Sequence, residues 1–276
     1  MAPLRLCDEW AMAGFDSRFE RLECKYLIDE RQAEQVRREI EPYCEPDRYN
    51  SHGAESGGVP GYPVWSLYLD SPDLAFHEAK QRGDAERLKL RVRTYENSDF
   101  AVLELKKRVS DVVEKERTRI DRGQVRDMAL GRVIPLEADP ETHRFLSRYA
   151  RIANRYCVGP SLQLYYQREA YLSNVDQYAR VTFDRRILAH RTEDWSLTPD
   201  ADRWCPFDDW WRPDFSGRPV LLELKCQARM PGWMVELTKR NGLERVSFSK
   251  YSVGIYVTAR QMGQDPLRRR AAKAMR

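Results

Sequence analysis

This chain has no apolar run approaching the roughly 20 residues that a helix needs to cross a bilayer, so no membrane-spanning helix is expected. Its first residues lack a basic segment followed by an apolar core, and no signal peptide is expected. The six cysteines, at positions 7, 24, 44, 157, 205 and 226, include no CxxC pair and no metal-ligand spacing. That favours reduced thiols in the cytosol over a disulfide scaffold. The four histidines, His52, His77, His143 and His190, show no ligand spacing either. A large charge excess is also missing: the net charge is +4. Basic residues form no tail or helical stripe apart from Arg268-Arg269-Arg270, which reads as a solvated tail. A nucleic-acid partner is therefore not expected.

What the chain has in quantity is charge arranged with a period of two. Charged residues are 33% of the sequence beside 42% hydrophobic ones, and the stretch from Glu86 to Ile120 shows how they share strands. In its first run Arg87, Lys89, Arg91, Arg93 and Tyr95 alternate with Leu88, Leu90, Val92 and Thr94, which puts the cations on one face of a strand. After Glu96-Asn97-Ser98-Asp99, a second run groups Val102, Glu104 and Lys106 against Leu103 and Leu105. A third groups Lys115, Arg117 and Arg119. Like charges on neighbouring strands lie roughly 5 Å apart and destabilise a sheet. Either water covers such a face or an anion sits on it, and repetition along the chain favours the anion.

The same pattern recurs elsewhere. Phe19 to Tyr26 reads as a strand with Arg21, Glu23 and Lys25 opposite Leu22 and Cys24. Asp29 and Gln32 fit a capping box, and Ala33, Val36, Ile40 and Tyr43 form the apolar stripe of the helix that follows. Residues 50–63 are a Gly-, Ser- and Pro-rich loop. A strand from Val64 to Asp70 precedes a helix expected to have Ser71 as N-cap and Pro72 at its first position. Helices are expected over 124–130 and 141–154. Strands are expected over 162–171, with Arg168 beside Leu164 and Tyr166, and over 178–184, where Arg180, Thr182 and Asp184 share a face. The Trp- and Pro-rich residues 195–219 read as an irregular excursion. Val220 to Lys225 nearly repeats Val102 to Lys106, again with a glutamate and a lysine on one face. Residues 231–240 and 249–262 close the chain as helices.

About eight strands with one charged and one apolar face, interleaved with amphipathic helices, point to an α+β fold. The expected architecture is an eight-stranded antiparallel β-barrel tunnel, apolar outside under covering helices and with a charged lumen. Arg21, Lys25, Lys89, Arg91, Arg93, Lys106, Lys115, Arg117, Arg119, Arg168, Arg180 and Lys225 would line one cavity, with Glu23, Glu104, Asp184 and Glu223 as counter-charges. Each of these glutamates is equally readable as a plain charge partner of a neighbouring lysine, and Asp184 as the residue that orients Arg180 or caps its strand. A polyphosphate suits such a cavity, because arginine forks match phosphate oxygens and a low-dielectric lumen strengthens each contact.

The segments Arg21-Leu22-Glu23-Cys24-Lys25-Tyr26, Leu90-Arg91-Val92-Arg93-Thr94-Tyr95, Leu103-Glu104-Leu105-Lys106, Ala179-Arg180-Val181-Thr182-Phe183-Asp184, Leu222-Glu223-Leu224-Lys225 and Phe248-Ser249-Lys250-Tyr251 carry a resemblance. In number and order they resemble the VTC family of polyphosphate polymerase domains, a branch of the triphosphate tunnel metalloenzymes. The resemblance spans roughly residues 18–257. It implies an N-terminal arm over 1–17, a tunnel domain over 18–262 and a basic tail over 263–276.

The activity this resemblance implies is transfer of the ATP γ-phosphoryl group to a growing polyphosphate chain. Lys25, Arg91, Arg93, Lys106, Arg180 and Lys250 match the family's phosphate-binding and catalytic cations. Arg21, Lys89, Lys115, Arg117, Arg119, Arg168, Lys225 and Ser249 would bind substrate. Glu223, with Glu23 and Glu104, would hold Mn²⁺ or Mg²⁺. Ser247 stands where some relatives have a lysine. Relatives of the wider superfamily open with Glu-x-Glu-x-Lys, whereas Arg21 occupies the first position here, which favours holding a polyanion over activating water. A metal-dependent triphosphatase and a non-catalytic polyphosphate-binding module stay open as alternatives. ATP and polyphosphate are the expected partners, and the resemblance allows a cytoplasmic site beside a membrane protein. It leaves the oligomeric state open.

Overall fold

Each of the eight alternating runs forms a strand in the computed structural model, which describes residues 21–50, 60–95, 98–109, 112–135, 137–176, 178–197, 204–207, 219–227 and 229–261. In chain order the first elements are β1 (Arg21–Ile28), α1 (Glu30–Ile40), β2 (Cys44–Pro46), β3 (Tyr62–Asp70) and α2 (Ala75–Arg82). The central stretch supplies β4 (Glu86–Thr94), β5 (Phe100–Val109) and β6 (Val112–Asp121), followed by α3 (Val125–Ala129) and α4 (Pro140–Arg155). Then come β7 (Gly159–Ser173), β8 (Arg180–Arg191), β9 (Cys205–Pro206), β10 (Val220–Gln227), α5 (Gly232–Arg240) and α6 (Lys250–Gln261).

The fold is α+β, and the strand pairings described are antiparallel. Ten strands are present among the described residues, two more than expected, and their pairing order is not closed into a ring. The additions, β2 and β9, are three and two residues long. They exist only through pairing with β7 and β8, so no local periodicity announces them. The expected arm over 1–17, most of the 50–63 loop, most of the 195–219 excursion and the basic tail lie outside the described residues.

The chain divides into two compact units, one of Leu69–Gly159 and one of Glu20–Tyr68 with Pro160–Arg276. In the first, β4, β5 and β6 form consecutive hairpins in the order β4-β5-β6. Leu90, Val92, Leu103, Leu105 and Ile120 are buried, and α3 and α4 pack against β6. Helix α4 begins where Asp139 accepts hydrogen bonds from the backbone N–H groups of Glu141 and Thr142. Helix α2 starts at Ala75, not at Pro72. Ser71 Oγ accepts from the Ala75 N–H, and Asp70 accepts from the N–H groups of Phe76 and His77. The capping residues are therefore displaced towards the strand end.

The second unit pairs strands in the order β1-β10-β8-β7-β3. Its core lies between one sheet face and helices α1 and α5: Cys24, Tyr26 and Ile28 of β1, Val181 and Phe183 of β8, and Leu222, Leu224 and Cys226 of β10 meet Ala33, Val36, Ile40, Met234 and Leu237. Full burial of one such aliphatic side chain is worth about 1.5–3 kcal/mol. The Asp29–Gln32 capping box of α1 forms as expected. Within this unit, then, α1 and α5 cover the apolar face, beside which Arg37 and Glu30 of α1 pair with the buried Glu169 and Arg185, while Lys25, Glu223 and Lys225 take the other face. No described helix is long and apolar enough to cross a membrane.

Candidate functional site

Strand register turns the alternating cations into a grid in the first unit. Arg91 pairs with Glu104 and Glu104 with Arg117; Lys89 pairs with Lys106 and Lys106 with Lys115; Arg93 pairs with Val102 and Val102 with Arg119. With Arg87 and Arg108, which pair with each other, nine cations thus share a face with two carboxylates, Glu104 and, at the strand end, Asp121. Glu104 is 2% exposed and gathers three of them: Arg91 Nε hydrogen-bonds Oε2, Arg93 Nη2 lies 3.8 Å from Oε2, and Lys115 Nζ lies 2.9 Å from Oε1. Burial alone would raise the Glu104 carboxyl, but Arg91, Arg93 and Lys115 outweigh it and hold its pKa well below the usual range. The Lys115 ammonium is lowered to about 7, by burial first and then by Arg91 and Arg93, against the pull of Glu104. Arg119 lies over the Phe100 ring at 4.1 Å.

The second unit builds a different cluster from β1, β7, β8, β10 and α6. Glu223 is 4% exposed; its Oε2 accepts from Lys225 at 2.6 Å and its Oε1 from Lys250 at 2.8 Å. Arg168 at 3.5 Å and Lys25 at 3.9 Å complete its surroundings. Asp184 is fully buried, held by both arms of Arg168 at 2.7 Å and by Lys250 at 2.6 Å. Lys25 also pairs with Glu23 at 3.0 Å and donates to the Phe248 carbonyl. Burial opposes charge on Glu223, yet Lys225, Lys250, Lys25 and Arg168 hold its pKa well below the carboxylate range. Burial likewise opposes charge on Lys250, and Asp184 and Glu223 override it and raise the pKa.

Local sequence explains how Lys250 arrives there. It opens α6, whose Gly254 lies so close to the sheet that a Cβ would stand 2.5 Å from Leu162 Cδ2 and 3.2 Å from Ala189 Cβ. A side chain at 254 would push the helix, and Lys250 with it, off the sheet. Ser249 precedes the helix, and its hydroxyl accepts from the Ser252 N–H, an N-capping contact.

The residues expected to line one cavity therefore form two sets, one in each unit. Arg91, Arg93, Lys115 and Glu104 make direct contacts in the first, with Lys89, Lys106, Arg117 and Arg119 on the same face. Lys25, Arg168, Lys225, Lys250, Glu23, Asp184 and Glu223 make direct contacts in the second. Arg21 has its backbone in β1 beside Gln227. Arg180 pairs across the strands with Lys225, but Asp184 does not orient it. Four residues along a strand separate the two by about 13 Å, and register brings Arg168 opposite Asp184 instead. Arg180 Nη2 bonds Asp47 Oδ2 at 2.9 Å and Tyr62 Oη at 3.4 Å. Sequence reasoning missed Asp47, which lies in a loop with no periodicity. It also missed the part played by Tyr166, whose ring lies under both Arg168 and Lys250, at 5.1 and 4.9 Å.

The donor set was tested for a metal ion. Among the described residues no group of three or more His, Cys, Asp or Glu side chains is placed to hold one. Glu223, Asp184 and Glu104 spend their oxygens on ammonium and guanidinium groups, and in both clusters cations outnumber carboxylates. A hard dication needs anionic oxygens in surplus, so these carboxylates do not fit a metal site made by protein alone.

One unit thus carries a strand face rich in arginine and lysine, and the other a buried cation–carboxylate cluster. The family model of the VTC domain matches residues 20–259, and the chain belongs to that family. No curated protein matches it. Among solved structures it is similar to a "putative adenylate cyclase" from Vibrio parahaemolyticus, at 12% identity and a TM-score of 0.43 over 86% of this chain and 98% of the other. The PH1819 protein from Pyrococcus horikoshii gives 11% identity and a TM-score of 0.42 over 87% and 99%. At these values the likenesses add nothing to the assignment, which rests on the family model.

Proposed function

We propose that this protein is a polyphosphate polymerase that transfers the γ-phosphoryl group of ATP to the end of an inorganic polyphosphate chain. The observation that carries this reading is the grid on β4, β5 and β6, where nine cations share a face with the carboxylates of Glu104 and Asp121. A strand face this rich in cations attracts a polyanion with many charges. Phosphoryl transfer asks little covalent help of a protein and depends on positioned positive charge. Arg91, Arg93 and Lys106 in one cluster, and Lys25, Arg180 and Lys250 in the other, are the cations assigned to hold and orient phosphates. Mn²⁺ or Mg²⁺, if bound with the nucleotide, would supply neutralisation of phosphate charge beside these cations. The five free cysteines among the described residues support a reducing, cytosolic setting.

The test is one assay of purified protein with ATP and Mn²⁺, followed for polymer, ADP and free phosphate. Polymer with matching ADP is the expected outcome. Free phosphate without polymer would make the protein a triphosphatase. Binding of long polyphosphate with neither product would make it a non-catalytic module.

A further inference from the structure

Strand β8 presents Arg180, Thr182 and Asp184 in succession on its charged face. Asp184 is saturated by Arg168 and Lys250. Thr182 is not: it is fully buried, and its Oγ1 meets no hydrogen-bond partner among the described residues. Its neighbours across the strands are Glu223 and Ala170, so the hydroxyl sits in the row next to Lys225 and Arg180. Arg180 is anchored at Nη2 by Asp47 and Tyr62, while its Nε is buried and without a partner. The anchor is itself built. The Asp47 N–H donates to the Ala170 carbonyl at 2.8 Å, the Tyr49 N–H donates to Asp47 Oδ1 at 3.2 Å, and Asn50 bonds both backbone groups of Ala170.

A buried polar atom left without a partner costs about 1–3 kcal/mol, and native proteins keep few of them. Here two lie on successive same-face positions of one strand, about 6.6 Å apart along the backbone, beside the Lys225 ammonium. We infer that Thr182 Oγ1 and Arg180 Nε are the donors of an oxyanion subsite that takes a phosphoryl oxygen of a polyphosphate, with Asp47 as the positioning residue that holds the guanidinium. This inference rests on the phosphate-binding reading above and adds Thr182 and Asp47 to it. Threonine supplies a neutral donor where a further cation would crowd Lys225 and Arg180.

The experiment is calorimetric titration of tripolyphosphate into the full chain, paired with thermal unfolding without ligand. Thr182→Val keeps the shape and removes the hydroxyl, so the unliganded protein should melt at the same temperature or higher. Its tripolyphosphate affinity should fall on the order of tenfold, the loss expected for one hydrogen bond to a charged group. Thr182→Ser should restore affinity to within about threefold of wild type, on the same hydrogen-bond reasoning. Thr182→Ala also lacks the hydroxyl and must weaken binding too, which keeps the test open should the valine variant fold poorly. Wild-type affinity in both hydroxyl-free variants would overturn the subsite while leaving the phosphate reading in place. No tripolyphosphate binding by the wild-type protein would overturn both.

Discussion

The two clusters differ in how they spend their carboxylates. Around Glu104, one acid serves Arg91, Arg93 and Lys115 inside a nine-cation face, and all of it comes from three consecutive strands. Around Glu223, three acids, Glu23, Asp184 and Glu223, answer four cations, Lys25, Arg168, Lys225 and Lys250, drawn from five elements. The first arrangement gathers many cations on one strand face and suits attraction of a polyanion. The second is nearly neutral and tightly hydrogen-bonded, which suits holding a few groups in fixed orientation. Exposure does not follow this division: Arg91, Arg93 and Lys115 keep 20%, 9% and 34% of their side-chain surface, and Lys25, Lys225, Arg168 and Lys250 keep 20%, 21%, 11% and 9%.

The largest effect expected from this difference is on stability. Glu223→Ala strands four cations, two of them nearly sealed from water, and should cost about 3–5 kcal/mol in urea unfolding. Glu104→Ala should cost less, because it strands three cations, not four. Equal losses would break the comparison. The acid limb points the same way for both sites. The carboxyl pKa values of Glu104, Asp184 and Glu223 are depressed in the folded state, so their stabilisation is complete above the ordinary carboxylate range. It disappears as pH falls through the folded values.

Next in size is affinity. Arg91→Ala and Arg93→Ala should each weaken tripolyphosphate binding by on the order of tenfold or more, whereas Arg38→Ala on α1 should leave it unchanged. Calorimetry that returned one affinity for all three would remove the grid from the site. Salt should weaken long-chain binding more than ATP binding, because a longer polyanion releases more counter-ions.

A smaller effect is expected from Lys115, lowered from 10.5 to about 7. Between those values the unfolded state binds the proton and the folded state does not, so Lys115 makes stability rise with pH across that window. Anion binding favours the charged ammonium, so affinity should fall as pH rises through 7 and binding should take up protons. Titrations in two buffers of different ionisation enthalpy would reveal the uptake, and Lys115→Met should abolish it. Water at the exposed third of the side chain screens part of the shift. A buffer-independent enthalpy in the wild-type protein would contradict this assignment.

The smallest effect is reserved for the opposite face of the same sheet. Arg148 on α4 pairs with Glu114 at 3.3 Å and Glu116 at 2.5 Å. Arg148→Ala should cost about 1 kcal/mol at most and leave tripolyphosphate affinity untouched. A loss of affinity there would show that both faces of the hairpins contribute to binding.

Legibility in the sequence divided along the same line as the two clusters. The charged face of the β4-β5-β6 grid was readable because Arg91, Glu104 and Arg117 belong to consecutive strands whose alternation settles the face, whereas the register of Lys115 and Arg119 came only with the structure. The assignment of Glu104 beside cations follows from the alternation alone. The second cluster was readable only as separate faces: Lys25 and Glu23 on one strand, Glu223 and Lys225 on another, Arg180, Thr182 and Asp184 on a third. Which acid meets which cation was not. Asp184 was read as a partner for Arg180, and it serves Arg168 and Lys250. Ser71 and Pro72 were read as a helix start, and Asp70, a strand residue, shares that capping.

The sequence by itself determined the eight longer strands and which side of each is charged, because the period of two is imposed by backbone geometry within a few residues; β2 and β9 were decided by pairing alone. It also determined α1 and its capping box, for the same local reason. Only the tertiary structure decided that Glu223 meets Lys250 across 27 residues and that Asp47 anchors Arg180 across 133. Such pairings depend on the register of strands distant in sequence and on how closely a helix such as α6 can approach them. They leave no periodic trace in the residues themselves.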